Sequence, residues 1–392
     1  MRLLKKNLLI GMCIAFAVTV KAQDDDEKNR FSPLNTAVPS LSIAPDARGG
    51  GMGDNGVSTL PDIASQYWNP SKYAFMESKA GVGFSYTPWM SKIVTDVALA
   101  YLSGYYKLGQ YDLHALGASL RYFTLGEVPL TTYGGETYLN LFPYEMAVDL
   151  SYCIKLSEGF SLGVAMRYIR SDMGAAVDYE LRPGNAVAAD LSGYGEKFLS
   201  IGQSEALWSG GFNISNMGNK ISYDDGSTNQ FLPTNLRLGT GLLLPLDEYN
   251  QLGIYLDLNK YLVPSKPIRF SDESDEDFDK RDDDYNNTPF VKGMFKSFSD
   301  APGGFNEELK EINISAAVEY NYNSQFFVRG GYFYENQMKG NRQYFSVGAG
   351  FRMNVFQLDA AYLISTVPSN PLDQTLRFTL SFDMDGIKDL FK

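Results

Sequence analysis

From Lys79 to Asp385 apolar and polar side chains alternate, stretch after stretch, with a period of two. The last stretch shows it plainly, with Leu376, Phe378, Leu380, Phe382 and Met384 on one face and Arg377, Thr379, Ser381 and Asp383 on the other. The same split recurs at Phe160, Leu162, Val164, Met166 and Tyr168 against Ser161, Gly163, Ala165 and Arg167, and at Phe356, Leu358, Ala360, Tyr362 and Ile364 against Gln357, Asp359 and Ala361. Period two is the mark of β-strands, whose successive side chains point to opposite faces. One apolar and one polar face suit a wall between lipid and a polar lumen.

Such segments fall near 79–88, 92–107, 110–126, 143–156, 158–172, 205–217, 232–245, 248–262, 309–322, 324–337, 340–353, 355–366 and 373–385, thirteen in all. Bacterial barrels of this kind have an even number of strands, with short turns at one end and long loops at the other. Thirteen strands would put the long 263–308 segment among the short turns. A further strand between 172 and 205 restores the order, and Asn185–Tyr194 is the candidate. The expected fold is all-β: a 14-stranded antiparallel transmembrane β-barrel over 79–385, preceded by a glycine-rich plug, with both termini periplasmic. The outside loops then lie near 127–142, 173–184, 218–231, 263–308 and 367–372.

The chain before Lys79 reads differently. Met1–Ala22 has Arg2, Lys5 and Lys6, an apolar run from Leu8 to Val20, and the small-residue pattern Val20-Lys21-Ala22. That is a secretory signal peptide, and the mature chain is expected to begin at Gln23. An acidic leader, Asp24-Asp25-Asp26-Glu27, follows and is expected to be solvated. The leader and plug together span 23–78. The plug centres on Gly49, Gly50, Gly51 and Gly53, with Trp68, Asn69 and Pro70 as its anchor and the periplasmic half of the barrel as its place. Gly51-Met52-Gly53-Asp54-Asn55-Gly56 has the spacing of a dinucleotide loop, but that loop needs a strand before it and a helix after it. Pro39, Pro45 and Pro61 flank it instead, so a turn-rich coil is expected.

Losing the signal segment moves the balance from 34 basic against 46 acidic residues to 30 against 46, a formal charge of −16. So acidic a chain makes no nucleic-acid partner. Only Cys153 would remain, which excludes an internal disulfide. No later apolar run is long enough for a membrane helix, and the load of Tyr and Phe suits aromatic belts at membrane interfaces. A large soluble β-sandwich is the competing architecture.

Strand parity puts Asp96, Asp149, Asp257, Glu319, Asp359 and Asp383 in the lumen beside Arg121, Arg167, Arg237, Arg329, Arg352 and Arg377. A pore selective for one ion sign would carry a ring of one charge. Mixed carboxylates and guanidiniums instead suit bidentate pairs that brace a wall or grip a plug, with ordinary hydrated lumen residues as the alternative. Catalysis has little to build on. His114, the single histidine, has lipid-facing parity, and no His and Cys cluster suits zinc. Neither a cofactor nor a metal is expected. The acidic run Asp272-Glu273-Ser274-Asp275-Glu276-Asp277, with Asp282-Asp283-Asp284, lacks the spacing of a calcium loop and reads as a solvated, mobile loop.

Ala47-Arg48-Gly49-Gly50-Gly51-Met52-Gly53 with Tyr67-Trp68-Asn69-Pro70 resembles the N-terminal signature of the PorV (LptO) family, a branch of the FadL-like outer-membrane barrels. Gly211-Phe212-Asn213-Ile214-Ser215-Asn216-Met217-Gly218 and Phe231-Leu232-Pro233-Thr234-Asn235-Leu236-Arg237-Leu238-Gly239 are similar to its middle section. The resemblance implies a component of the Bacteroidetes type IX secretion system. Such proteins shuttle secreted cargo, held by its C-terminal signal domain, from the translocon to a surface attachment complex with a sortase-like peptidase. Outer-membrane lipid would be the other partner. A FadL-like channel for hydrophobic small molecules is the alternative. Lipopolysaccharide deacylation has been linked to the family, but no residue here fits that reaction, and the chain is not expected to be an enzyme. On the shuttle reading the loop aromatics Tyr133, Tyr138, Phe142, Tyr223, Phe231 and Phe298 form a cargo-binding rim. Gly386–Lys392 departs from a typical barrel by extending past the last strand as a periplasmic tail.

Overall fold

The computed structural model describes residues 31–384 apart from 91–93, 95, 132–133, 136, 175–181, 203, 225, 227–228, 270–272 and 368–371. The signal segment, the acidic leader up to residue 30, Asp272, Tyr133, the side chain of Tyr138 and the tail therefore lie outside the described residues. In chain order the strands are β1 (Ala80–Pro88), β2 (Val97–Leu108), β3 (His114–Leu125), β4 (Val128–Thr131), β5 (Thr137–Leu141), β6 (Tyr144–Ser157), β7 (Phe160–Asp172) and β8 (Gly184–Ile201). Then follow β9 (Ser204–Gly218), β10 (Asn235–Pro245), β11 (Asn250–Tyr261), β12 (Ile312–Tyr322), β13 (Phe326–Tyr334), β14 (Gln343–Met353), β15 (Phe356–Ser365) and β16 (Leu376–Asp383). β4 and β5 form a separate hairpin, and the other fourteen close into one antiparallel barrel. β16 returns to β1 in the register Val82↔Phe382 and Ser85↔Thr379, so no edge is left unpaired.

Strand parity holds around the wall. In β16 Leu376, Phe378, Leu380 and Phe382 are exposed on the outside, while Arg377 and Thr379 are buried inside. The strand demanded by loop alternation is present as β8, longer than Asn185–Tyr194. It pairs with β7 and β9, with a register shift between Ala189 and Leu191. Short turns at 109–113, 158–159, 202–203, 246–249, 323–325 and 354–355 mark one end of the barrel. Longer connections mark the other, among them the β4–β5 hairpin and the 262–311 loop.

Two expectations about the loops are corrected. The segment after β3 is not plain loop, since it carries the β4–β5 hairpin. The acidic block is not a mobile loop either, because Asp275–Asn287 is an α-helix, followed by the shorter helices Phe290–Lys296 and Phe305–Lys310. Ser274 caps the first, its hydroxyl accepting from the Asp277 amide at 3.2 Å. Asp275, Glu276 and Asp277 occupy its first turn, where the helix dipole favours negative charge. Concentrated acid here starts a helix instead of preventing one.

A third correction concerns the path of the N-terminal segment. The Ser32 amide donates to the Met338 carbonyl at 2.8 Å and the Ala37 amide to Phe231 at 2.9 Å, both at the loop end. At the turn end the Lys79 carbonyl accepts from the Lys107 amide at 2.7 Å. Residues 32–79 thus run the whole length of the lumen instead of occupying its turn-end half. The reason is apolar: Ala37, Val38 and Leu41 pack with Ala147, Ile169, Ala186 and Leu232 near the loop end. Nor is the glycine-rich stretch all coil. Ala47–Gly50 and Ser65–Trp68 are short helical turns, the first capped by the Asp46 carboxylate.

This path makes a topological prediction. Cys153 is buried, so in a protein lacking residues 1–22, as the sequence predicts for the mature chain, a thiol placed at exposed Asn35 is the one available for labelling. Asn35→Cys should react with a membrane-impermeant maleimide from the same membrane side as Ser299→Cys, and from the side opposite Glu158→Cys. Labelling of Asn35→Cys from the Glu158 side would refute the traversing path.

Candidate functional site: the filled lumen and the loop rim

The N-terminal segment is organised about Trp68. Its indole N–H donates to Asp46 at 2.7 Å, and the other Asp46 oxygen takes the Gly49 amide at 2.7 Å. Gly49 and Gly56 lie so close to the ring that a Cβ on either would overlap it. Gly53, at φ +67°, presses its backbone against Tyr332, and a Cβ at Gly331 would overlap the Met52 carbonyl. Only glycine permits that approach and that φ together. Gly50 lies beneath Arg377 and Gly51 against Gly348. Asn69 donates to Val57 and Gly193 carbonyls at 3.1 and 2.9 Å, and Pro70 opens the turn Pro70–Phe75, where its missing N–H costs nothing.

The wall meets this segment with small polar side chains. Ser346 accepts from the Gly53 amide at 2.7 Å and Thr379 from the Ala47 amide at 2.8 Å, while Ser161 and Ser209 donate to the Ser71 and Ser58 carbonyls at 2.8 and 2.6 Å. Charge completes the grip. Glu319 accepts both Nε and Nη2 of Arg48, at 3.1 and 2.9 Å, and also Nε of Arg329 at 2.5 Å. Arg329 passes the chain on to Asp359 at 2.5 Å. Arg377 binds Asp54 at 2.6 Å, and Asp257 accepts the Gly56 and Val57 amides at 2.8 and 2.9 Å. Arg121 donates to the Ser40 and Ile43 carbonyls. Tyr67 lies between its guanidinium and that of Arg237, at 4.8 and 4.6 Å from the ring centroid.

The remaining lumen candidates divide. Asp149 and Arg167 pair at 2.5 Å, with Asp190 on the same guanidinium at 3.0 Å, and brace the wall itself. Arg352 makes no ion pair among the described residues. It donates to Gln357 at 2.9 Å and, with Asp383, lines a turn-end cavity of about 460 Å³. Asp96 is not in the lumen: it precedes β2, and its exposed side chain accepts the Glu127 amide at 2.6 Å. Strand parity alone could not find Arg48, Asp46 or Asp54, which lie before the first strand. Arg48, set among glycines, was the visible signal.

A family model described as type IX secretion system protein PorV matches residues 24–268. The chain belongs to the PorV family. No curated protein matches it. Among solved structures it is similar to the Pseudomonas putida toluene transporter TodX, at 11% identity and TM-score 0.48, over 90% of this chain and 99% of that one. The Ralstonia pickettii toluene transporter TbuX gives 10% and 0.42 over 87% and 96%, and a Pseudomonas aeruginosa FadL homologue 11% and 0.43 over 90% and 99%. The PorV match runs from the leader to just past β11 and so takes in the whole lumen-filling segment.

At the rim of this PorV-family barrel the aromatic candidates are unequal. Phe142 is 67% exposed and Phe298 50%. Phe231 is buried edge-on against Tyr285, 5.5 Å between centroids, and Tyr223 is half-buried with its hydroxyl on Ser171 at 2.9 Å. Phe231 is buried within the rim, and Tyr223 keeps part of its surface while its hydroxyl is engaged. Lys220, 4.0 Å from the Phe231 ring, has its pKa lowered by burial. His114 is on the outer wall with Nδ1 2.7 Å from the Tyr152 hydroxyl. Among the described residues no group of His, Cys, Asp and Glu is placed to hold a metal.

Two predictions follow from these charges. Glu319→Gln leaves two buried guanidiniums short of their carboxylate, which costs about 3–5 kcal/mol for a broken buried pair; Arg352→Gln should cost far less. Urea unfolding in lipid vesicles separates the two. In the loop, burial pushes the Asp300 carboxyl up to about 6, with the Ser265 amide and Lys296 opposing and Glu308 and Glu311 adding. The folded loop then holds this proton more tightly than the unfolded chain, so its stability falls as pH rises from about 4 to about 6. Acidification from pH 7 to 5 should raise hydrogen-exchange protection across the loop helix Phe290–Lys296, and Asp300→Asn should abolish that pH dependence.

Proposed function

We propose that this chain is the outer-membrane shuttle of a type IX secretion system. It binds the C-terminal signal domain of secreted cargo at the translocon and delivers it to the sortase-like attachment complex, acting by binding and not by catalysis. The family membership supports the reading. The observation that carries it is the lumen: residues 32–79, acting as a plug, fill it from end to end and are held by buried charge. Protein cannot pass through such a barrel, so the work falls to its surfaces. The long loops stand outside the cell.

On that rim the β4–β5 hairpin is the cargo-facing element, with Phe142 beside it. An isolated two-stranded hairpin is marginal on its own, and its open edges accept a further strand. Phe142 supplies an exposed aromatic anchor. The acidic helix Asp275–Asn287 acts on encounter and on rejection of wrong partners, because exposed charge is screened within about 10 Å at 0.1 M salt.

Replacing residues 128–141 by a short glycine-serine link, together with Phe142→Ala, should leave a heat-modifiable folded barrel that no longer retains a cargo C-terminal domain in pull-down. Amide replacement of the acids at 275–284 should leave capture at high salt unchanged and alter only its salt dependence. Full capture by the hairpin variant would overturn the assignment. Recovery of fatty acids alone with the purified protein, and no cargo, would favour a channel for hydrophobic molecules.

A further inference from the structure

The loop between β11 and β12 carries apolar surface that no other part of the fold covers. Val291, Phe295, Phe298, Phe305 and Leu309 are all exposed, Phe295 and Phe305 at 74% each. Phe305 and Leu309 are one helical turn apart and share a face. A rim standing free in water gains nothing from such a cluster, which marks a contact surface.

Lys260 shows where the cluster lies. Leu256 and Leu258 of β11 are exposed on the outer wall, and Lys260 continues their parity about 7 Å further along the strand. It is nevertheless buried, because Glu308 and Glu311 close over its ammonium at 3.0 and 2.6 Å. Lys339 holds Glu307 and Glu311 from the neighbouring loop at 2.6 and 3.1 Å. The Phe298 ring centroid is 5.9 Å from Lys260 Nζ. The loop therefore overhangs the outer wall, and its aromatics begin where the outward leucines of β11 stop.

We propose that this overhang is an interfacial anchor whose occupant is bilayer lipid, at the boundary between headgroups and acyl chains. The patch is continuous with a wall that already faces lipid, and aromatic side chains favour that depth. Lys292 and Lys296 are exposed beside Val291 and Phe295, where their stems cover apolar surface and their ammonium groups reach phosphate. The described acids of the same loop are engaged elsewhere: Glu307, Glu308 and Glu311 turn into the Lys260 and Lys339 cluster, Asp300 accepts the Ser265 amide, Glu273 pairs with Arg281, and the others are gathered on the separate helix Asp275–Asn287. The anchor fixes the height of the rim above the membrane. It requires only that the barrel sit in a bilayer, and is independent of what the rim binds.

The test reconstitutes the chain from residue 23 in phosphatidylcholine vesicles with and without phosphatidylglycerol. Spin labels are attached at Phe298→Cys and Phe305→Cys, with Leu258→Cys as lipid control and Asp279→Cys as water control. Heat-modifiable mobility certifies folding, and unlabelled Cys153 sets the background. Both loop labels should collide with oxygen in preference to a water-soluble nickel chelate, several-fold more than the Asp279 label, and sharing the preference of the Leu258 label. Lipid contact confined to the phosphatidylglycerol vesicles also supports the anchor and assigns it to the lysines. Aqueous collision at both sites in both lipids overturns it. So does protection from oxygen and nickel alike, which would mean a protein cover such as a second copy.

Discussion

One carboxylate, Glu319, takes two guanidiniums, and those two belong to different parts of the chain. Arg48 comes from the lumen-filling segment and Arg329 from β13. A buried charge is tolerable only when its partners are in place, so segment and wall satisfy each other. The segment cannot leave without exposing unpaired charge in the wall, and the wall cannot close around water at this point without losing the same pairs. The Asp54 pair with Arg377 and the Asp257 bonds to Gly56 and Val57 repeat the arrangement around the barrel.

The same constraint explains the composition of the inner face. A segment with few regular hydrogen bonds of its own leaves backbone groups that must find partners. Serine, threonine and asparagine supply them from the strands with little volume, as Ser161, Ser209, Ser346, Thr379 and Asn213 do. Glycine on both sides lets the backbones come close, at Gly53 and Gly331 above all. Large apolar residues dominate the outer wall, where lipid is the solvent, while a few with inward parity, such as Leu99 and Ile169, pack inside the barrel.

On the proposed function, the ends of the barrel carry the binding. The loop end is built, not merely connected: a hairpin, three helices and the Lys260, Lys339, Glu307, Glu308 and Glu311 cluster give it shape. A filled barrel with a structured rim suits a protein that holds partners in place at a membrane surface. That is the setting in which membership of a secretion family makes physical sense.

The strands were legible in the sequence because a wall between lipid and a polar interior imposes period two on every residue. Even β8, weak in alternation around Asn185, was required by the order of turns and loops. Charged residues on regular strands, such as Asp149, Arg167, Glu319 and Arg329, could be assigned to the lumen by parity alone. Asp96 could not, since it precedes its strand and parity has no meaning there. Nor could parity show that Phe231 is buried under Tyr285, that an acidic run forms a capped helix, or that the glycine-rich segment traverses the whole lumen. Those depend on which surfaces meet, and a one-dimensional pattern records which face a side chain takes, not what it finds there. Sequence by itself determined the barrel; the partners of Arg48, and with them the path of the segment inside it, were decided by the closed tertiary structure, where each buried charge had to be matched.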